Sequence, residues 1–211
     1  MDIVMISSGK RPELLQQSLD TFVAHSVQKH NFVFVADGWM PPYQIAGSTV
    51  ISAPKVGASA ARNIGASSIP KYRRQNILTF LDDDVYLCPG WDEKVLDLML
   101  YTKGVVSGHA HPFNQPVSMF KSYSITNVLS TVHISMPWSV WDEVGFFSEP
   151  GGKGGSEDVD WCKRCTRDAL YVTAPQCVIH CGISGIVGED LMKGQNEFLV
   201  NHYKLKGVKF A

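Results

Sequence analysis

Short apolar runs and longer mixed stretches take turns along the chain. "DIVMIS" from Asp2, "NFVFVA" from Asn31, "STVIS" from Ser48 and "NILTFL" from Asn76 each read as a strand. "GVVSGHA", "TVHISM", "LYVTA" and "CVIHC" continue the series. Between them lie stretches with helical spacing. Leu14, Leu15, Leu19, Phe22 and Val23 recur on one face after Pro12, a residue suited to the first turn of a helix. "VGASAARNIGASSI" is rich in small residues with helical character, and Pro89 is expected to open a helix through about Tyr101. A short helix is expected from Pro137 to near Gly145, another from Glu157 to about Ala169, and a tail helix from Asp190 to about Leu205. The stretch from Pro112 to Ser130 shows no clear period.

Strands alternating with helices imply an α/β layered fold with a mixed, mainly parallel sheet. In such sheets ligands bind beyond the carboxyl ends of the strands. Asp37 follows one strand and Asp82, Asp83 and Asp84 follow another, so the four acids are expected to converge.

Composition narrows the partners. The chain has 211 residues, enough for one domain with a filled core, and 45% hydrophobic and 18% charged residues are ordinary for a globular protein. A formal net charge of −1 supplies no global field for nucleic acid or an acidic membrane. The basic runs "KYRR" (Lys71 to Arg74) and "YKLKGVK" (Tyr203 to Lys209) are short, and such runs are usually solvated faces. No export signal and no span of about 20 apolar residues is found, so a cytoplasmic location is expected. Five cysteines in such a chain argue for free thiols.

The candidate chemistry begins at "LDDDVYL". Crowded carboxylates are relieved by protonation, by Lys or Arg partners, or by a divalent cation. Asp82 and Asp84 stand on alternate residues and would share a face of an extended chain. Hard oxygen ligands suit Mg²⁺ or Mn²⁺ bridging to phosphates. The plain alternative is a solvated acidic turn. A second acidic site is "GGSEDVDWCKRC", where Glu157 and Asp158 fall in the first turn of a helix. They either complement the helix dipole or provide a general base held on a rigid helix end, where the N-terminus favours the ionised carboxylate. Cys162 and Cys165, with Cys177, His180 and Cys181, offer a zinc spacing; the alternative is that the helix cysteines are packed apolar side chains.

Several segments in order resemble the large inverting, nucleotide-sugar-dependent glycosyltransferase family 2 with the GT-A fold. They are "VMISSGKRPELLQQSLDTF", "FVFVADGW", "KVGASAARNIGA", "LTFLDDDVYLCPGW", "VWDEVGFFSE…GGSEDVDWCKRC" and "VIHCG". The likeness spans roughly Asp2 to Gly182. It implies a single domain over 1–211, with a nucleotide-sugar half (about 1–110) and an acceptor half with a C-terminal lid (about 111–211). It also implies that Asp37 accepts from a pyrimidine N–H. Ser8, Arg11, Arg62, Asn63, Asp82 and Asp83 would serve the donor; Arg62 and Asn63 either brace its pocket or touch the nucleotide. Asp84 and His180 would hold Mn²⁺ or Mg²⁺. Asp158 would deprotonate the acceptor, with Glu157 orienting it, or the reverse. His180 read alone is a core histidine.

Some positions depart from the family pattern. Ser7, Ser8, Gly9 and Lys10 stand where Pro-Thr-Tyr-Asn is common, and Gly9 removes a ring that would stack on the base. Ala36 replaces an acid beside Asp37. A uridine donor is favoured, and the acceptor is a glycan, a small molecule or a hydroxymethylated DNA base. Trp39, Trp91, Trp138 and Trp141 either stack on sugar or base or pack in the core and rim. "SEPGGKGGS" and "GISGIVGED" are expected to close over the reactants. Two other readings stand beside this one: a sugar nucleotidyltransferase, and a non-catalytic nucleotide-sugar or carbohydrate-binding module.

Overall fold

The computed structural model describes residues 1–42, 44–45, 47–109, 116–119, 123–126, 128–149, 157–165, 171–173 and 177–181. The first four apolar runs form β1 (Asp2–Ser7), β2 (Asn31–Asp37), β3 (Ser48–Ala53) and β4 (Ile77–Leu81). Between them lie α1 (Pro12–His25) and α2 (Ala58–Ser67). A short strand, β5 (Val85–Leu87), follows the acids, and then come α3 (Trp91–Thr102) and β6 (Val105–Ser107). The later described elements are β7 (Pro116–Met119), β8 (Ser124–Thr126), β9 (His133–Pro137), α4 (Trp138–Val144), α5 (Glu157–Arg164), β10 (Tyr171–Thr173) and β11 (Val178–His180). The expected tail helix, both glycine-rich loops, the end of the expected helix after Cys165 and "YKLKGVK" lie outside the described residues, apart from Ser148 and Glu149.

One sheet joins both halves of the chain, in the order β3-β2-β1-β4-β9-β6-β10-β8-β7. β1 pairs in parallel with β2 and β4, β2 with β3, and β6 with β10. β9 runs antiparallel between β4 and β6, so β3, β2, β1, β4, β6 and β10 all point the same way. The sheet is therefore mixed and mainly parallel. β5 and β11 form a separate antiparallel pair.

Strand alternation divides the core into two layers. Ile3 and Met5 join Phe32, Phe34, Trp91 and Val95 on one side. Val4 and Ile6 join Val33, Val35, Phe80, Trp141 and Trp161 on the other. α2 lies close on this second layer because Gly65 permits it: a Cβ there would stand 2.3 Å from Val4 Cγ1.

α1 departs from the expected stripe. Leu15 and Leu19 are buried, but so are Ser18 and Thr21, while Val23 is 75% exposed. The reason is β5, whose backbone polar groups need partners. Ser18 Oγ donates to Val85 O (2.7 Å) and accepts from Val85 N–H (2.9 Å). Thr21 Oγ1 accepts from Leu87 N–H (3.2 Å).

Candidate active site

The carboxyl ends of β1, β2 and β4 bring Ser7, Asp37 and Asp82–Asp84 to one edge of the sheet. The three adjacent acids are each made tolerable by polar partners, and Arg11 serves two of them. Asp82 Oδ1 pairs with Arg62 Nη2 at 2.5 Å. Asp83 Oδ2 accepts from Ser7 Oγ at 2.5 Å, and its other oxygen lies 3.6 Å from Arg11 Nη2. Asp84 Oδ2 meets Arg11 Nη1 at 2.5 Å and His180 Nε2 at 3.0 Å.

These surroundings push the acids apart. Burial raises the carboxyl of Asp82 above its ordinary value, against the opposing pull of Arg62. Burial likewise raises Asp83, although Ser7 and Arg11 oppose it. For Asp84 burial also acts upward, but the His180 and Arg11 contacts outweigh it and hold the carboxyl below the usual range. The cluster thus keeps its charge most firmly at Asp84.

His180 reaches Asp84 through β11. Val85 stands opposite His180 in the antiparallel pair, and Cys181 N–H donates to Asp84 O at 2.8 Å. Among the described residues, neither Asp84 Oδ1 nor His180 Nδ1, both buried, has a hydrogen-bond partner. A buried carboxylate oxygen without a donor is costly in a protein interior and suits a cation ligand. No three His, Cys, Asp or Glu side chains converge as a ready metal cage among the described residues. Asp84 and His180 carry donor atoms of the kind that hold a divalent ion.

Arg62 links this edge to the start of α5. Its side chain is 2% exposed, and Nη1 lies 3.3 Å from Glu157 Oε1 while Nη2 holds Asp82. Asp158 follows Glu157, and its Oδ1 accepts from Val159 N–H at 2.7 Å. That contact does not keep its carboxyl low, as the helix-end argument expects. Burial is the larger influence and raises it, with Glu157 acting in the same direction.

Asn63 bonds to the 147–149 segment. It donates to Phe147 O (2.9 Å) and Glu149 Oε1 (3.0 Å) and accepts from Phe147 N–H (3.0 Å). It braces the segment before α5. Asp37 accepts from Val56 N–H (2.6 Å) and Gly57 N–H (3.1 Å), just ahead of α2. Ser8 is exposed at the rim. Trp91, Trp138 and Trp141 are core residues, 0%, 6% and 3% exposed. Trp39 is different: its Nε1–H donates to Ser7 O at 2.8 Å, and its indole lies over Gly9, where a Cβ would stand 2.6 Å from the ring. A ring therefore occupies the neighbourhood of Gly9, supplied from the loop after β2.

Two sequence readings are settled by position. Cys162 and Cys165 pack in the layer with Trp161, whereas Cys177 packs in the layer with Trp91, across the sheet. The cysteines thus do not assemble as one zinc set. The described basic run starts as a single 3-10 turn, Lys71–Arg73, ahead of β4, at the opposite end of that strand from the acids. Its last member, Arg74, pairs with Asp142 at 2.9 Å and lies over the Trp138 ring.

Sequence reasoning missed the inward polar face of α1. Gln17, Ser18, Thr21 and His25 all bond to the 83–87 segment or to Cys181. The available signal was polar residues at the positions where Leu15 and Leu19 continue on an inward stripe.

No protein-family profile matches the chain, and no curated protein matches it by sequence. Its fold is nevertheless shared with solved structures. The chain is similar to GalNAc-T7, solved with UDP, GalNAc and Mn²⁺, at a TM-score of 0.66 and 10% identity. The match covers 85% of this chain and 43% of that one. The fold is an α/β, GT-A-like one, as the motifs imply. No helix among the described residues is long and apolar enough to cross a membrane.

Proposed function

We propose that the protein is a divalent-cation-dependent glycosyltransferase that moves a sugar from a nucleotide-diphospho donor to an acceptor hydroxyl with inversion. The observation that carries this reading is the meeting of Asp84 and His180 at 3.0 Å beside a buried carboxylate oxygen that has no hydrogen-bond partner among the described residues. A mixed oxygen and imidazole donor set suits Mn²⁺ better than Mg²⁺, which prefers oxygen alone. The UDP and Mn²⁺ of the solved neighbour make a UDP-sugar the first donor to try.

The chain's residues divide the work. Asp84 and His180 hold the ion, which supplies charge neutralisation at the departing diphosphate. Asp82 stays oriented by Arg62 beside the donor. Asp37 orders the turn before α2 and retains a lone pair for a base N–H, while Trp39 offers an apolar face near Gly9. The acceptor oxygen forms its bond to the anomeric carbon as the bond to the diphosphate oxygen breaks and that oxygen leaves with the electron pair. Asp158 takes the acceptor proton, and Glu157, held by Arg62, orients the acceptor. A glycan or small-molecule hydroxyl is the favoured acceptor; the basic turn lies at the far end of β4, which removes one support for DNA.

The test is Mn²⁺-dependent turnover of a panel of nucleotide sugars, followed by acceptor screening and NMR of the product anomer. Turnover of a nucleoside triphosphate with a sugar phosphate would favour a nucleotidyltransferase instead. Metal-dependent binding without any turnover would leave a binding module. A product of retained configuration would remove Asp158 as the base of an inverting step.

A further inference from the structure

Arg11 stands directly before α1, and its guanidinium lies across the acids. Its side chain is 47% exposed, while those of Asp83 and Asp84 are 8% and 2% exposed. The guanidinium therefore separates the two carboxylates from solvent on that side. Among the described residues, Asp84 Oδ2 is shared by Arg11 Nη1 and His180 Nε2. An ion bound through Asp84 Oδ1 would share its carboxylate with these contacts at Oδ2, one of them a guanidinium cation. It would also place two positive charges next to a third, a repulsion that a nearby anion can relieve.

We propose that Arg11 is an exchangeable internal cation. It neutralises Asp83 and Asp84 until a divalent ion arrives, then transfers its guanidinium to the donor's diphosphate. The inference rests on the reading of Asp84 and His180 as the ion's ligands. The local backbone allows the exchange: Arg11 is outside the helix (φ −130, ψ 70), and its side chain makes no cap bond to α1. An ion arriving alone displaces the guanidinium with no anion to receive it. An ion arriving with a diphosphate brings oxygens that suit the planar fork of an arginine. Ion and diphosphate then strengthen each other's binding, by the same factor in both directions. The residue thereby favours loading of the ion together with the donor.

Counting free Mn²⁺ by EPR, with and without UDP, tests the proposal in the full chain. The parent protein is expected to bind Mn²⁺ weakly alone and about 5- to 150-fold more tightly with UDP. Arg11→Met should bind Mn²⁺ alone about tenfold more tightly, since a competing positive charge is gone. Its gain from UDP should shrink to about threefold or less. Arg11→Lys keeps the charge and should still exclude Mn²⁺ in the absence of UDP. Unchanged or weaker Mn²⁺ binding by Arg11→Met overturns the exchange, as does an Arg11→Lys that behaves like Arg11→Met. Asp84→Asn separates this from the underlying reading. If it binds Mn²⁺ like the parent, the ion site itself is wrong, whatever Arg11 does.

Discussion

Asp84 Oδ2 and His180 Nε2 stand 3.0 Å apart although 96 residues separate them in the chain. Removing the charge while keeping the shape tests what that contact is for. Asp84→Asn should lower transfer by about a hundredfold or more and weaken Mn²⁺ and donor binding. Its thermal unfolding should stay cooperative. Titration calorimetry with Mn²⁺ and UDP reads the binding, and parent-like affinity would refute the ligand role.

Asp158→Asn should abolish transfer, by roughly 10²–10⁴-fold, while leaving donor affinity nearly intact. The parent should also show an acid limb in kcat/KM. A base works ionised, and burial raises the Asp158 carboxyl above its ordinary 3.8. Activity should therefore fall as pH drops through a point above 3.8, not below it. A limb at or below the ordinary carboxylate value would point to another base.

Arg62 joins Asp82 to Glu157, and it is nearly inaccessible to water. Arg62→Met should cost about 3–5 kcal/mol in urea unfolding, because two carboxylates lose their shared cation. Adding Asp82→Asn to that variant should restore part of the loss. A double variant less stable by the sum of both single losses would show that the pair is not coupled.

Gly65→Ala tests how closely α2 approaches the sheet. The new methyl would lie 2.3 Å from Val4 Cγ1 and 3.0 Å from Val35 Cγ2. Overpacking of about 1–3 kcal/mol should exceed alanine's gain in helix propensity. A higher melting temperature would contradict this packing.

His133 gives the fold an acid sensitivity of its own. The residue is fully buried, and its Nδ1 accepts from Gly108 N–H at 2.7 Å. Burial depresses its pKa from 6.5 to about 3. Below 6.5 the unfolded chain takes up a proton that the native imidazole refuses, so stability falls from there down to about 3. The loss is on the order of 5 kcal/mol at most. Urea midpoints at pH 7 and pH 5 should differ in the parent, and His133→Asn should reduce the difference. No reduction would assign the sensitivity to other groups.

Much of the scaffold was legible because its signals are local. Four strands, the helix after Pro12 and the short helix before Gly145 follow from period and punctuation over a few residues. β5 was not legible: three residues are too few to show a period, and its partner β11 lies far along the chain. The polar face of α1 was misread because Ser18 and Thr21 serve a strand that the pattern did not reveal. Asn63 was expected to brace the donor pocket or touch the nucleotide, and only the structure shows that its hydrogen bonds go to Phe147 and Glu149.

By itself the sequence determined the alternating α/β plan and the presence of acids at two strand ends, since side-chain period and strand polarity are properties of neighbouring residues. Tertiary structure alone decided which distant groups meet those acids. Pairing of β11 with β5 carries His180 to Asp84, and the shared core layer of α2 and α5 lets Arg62 reach both Asp82 and Glu157. It also set Cys162 and Cys165 in one core layer and Cys177 in the other. Such meetings depend on how layers close around a shared core, and that closure is a sum over the whole chain.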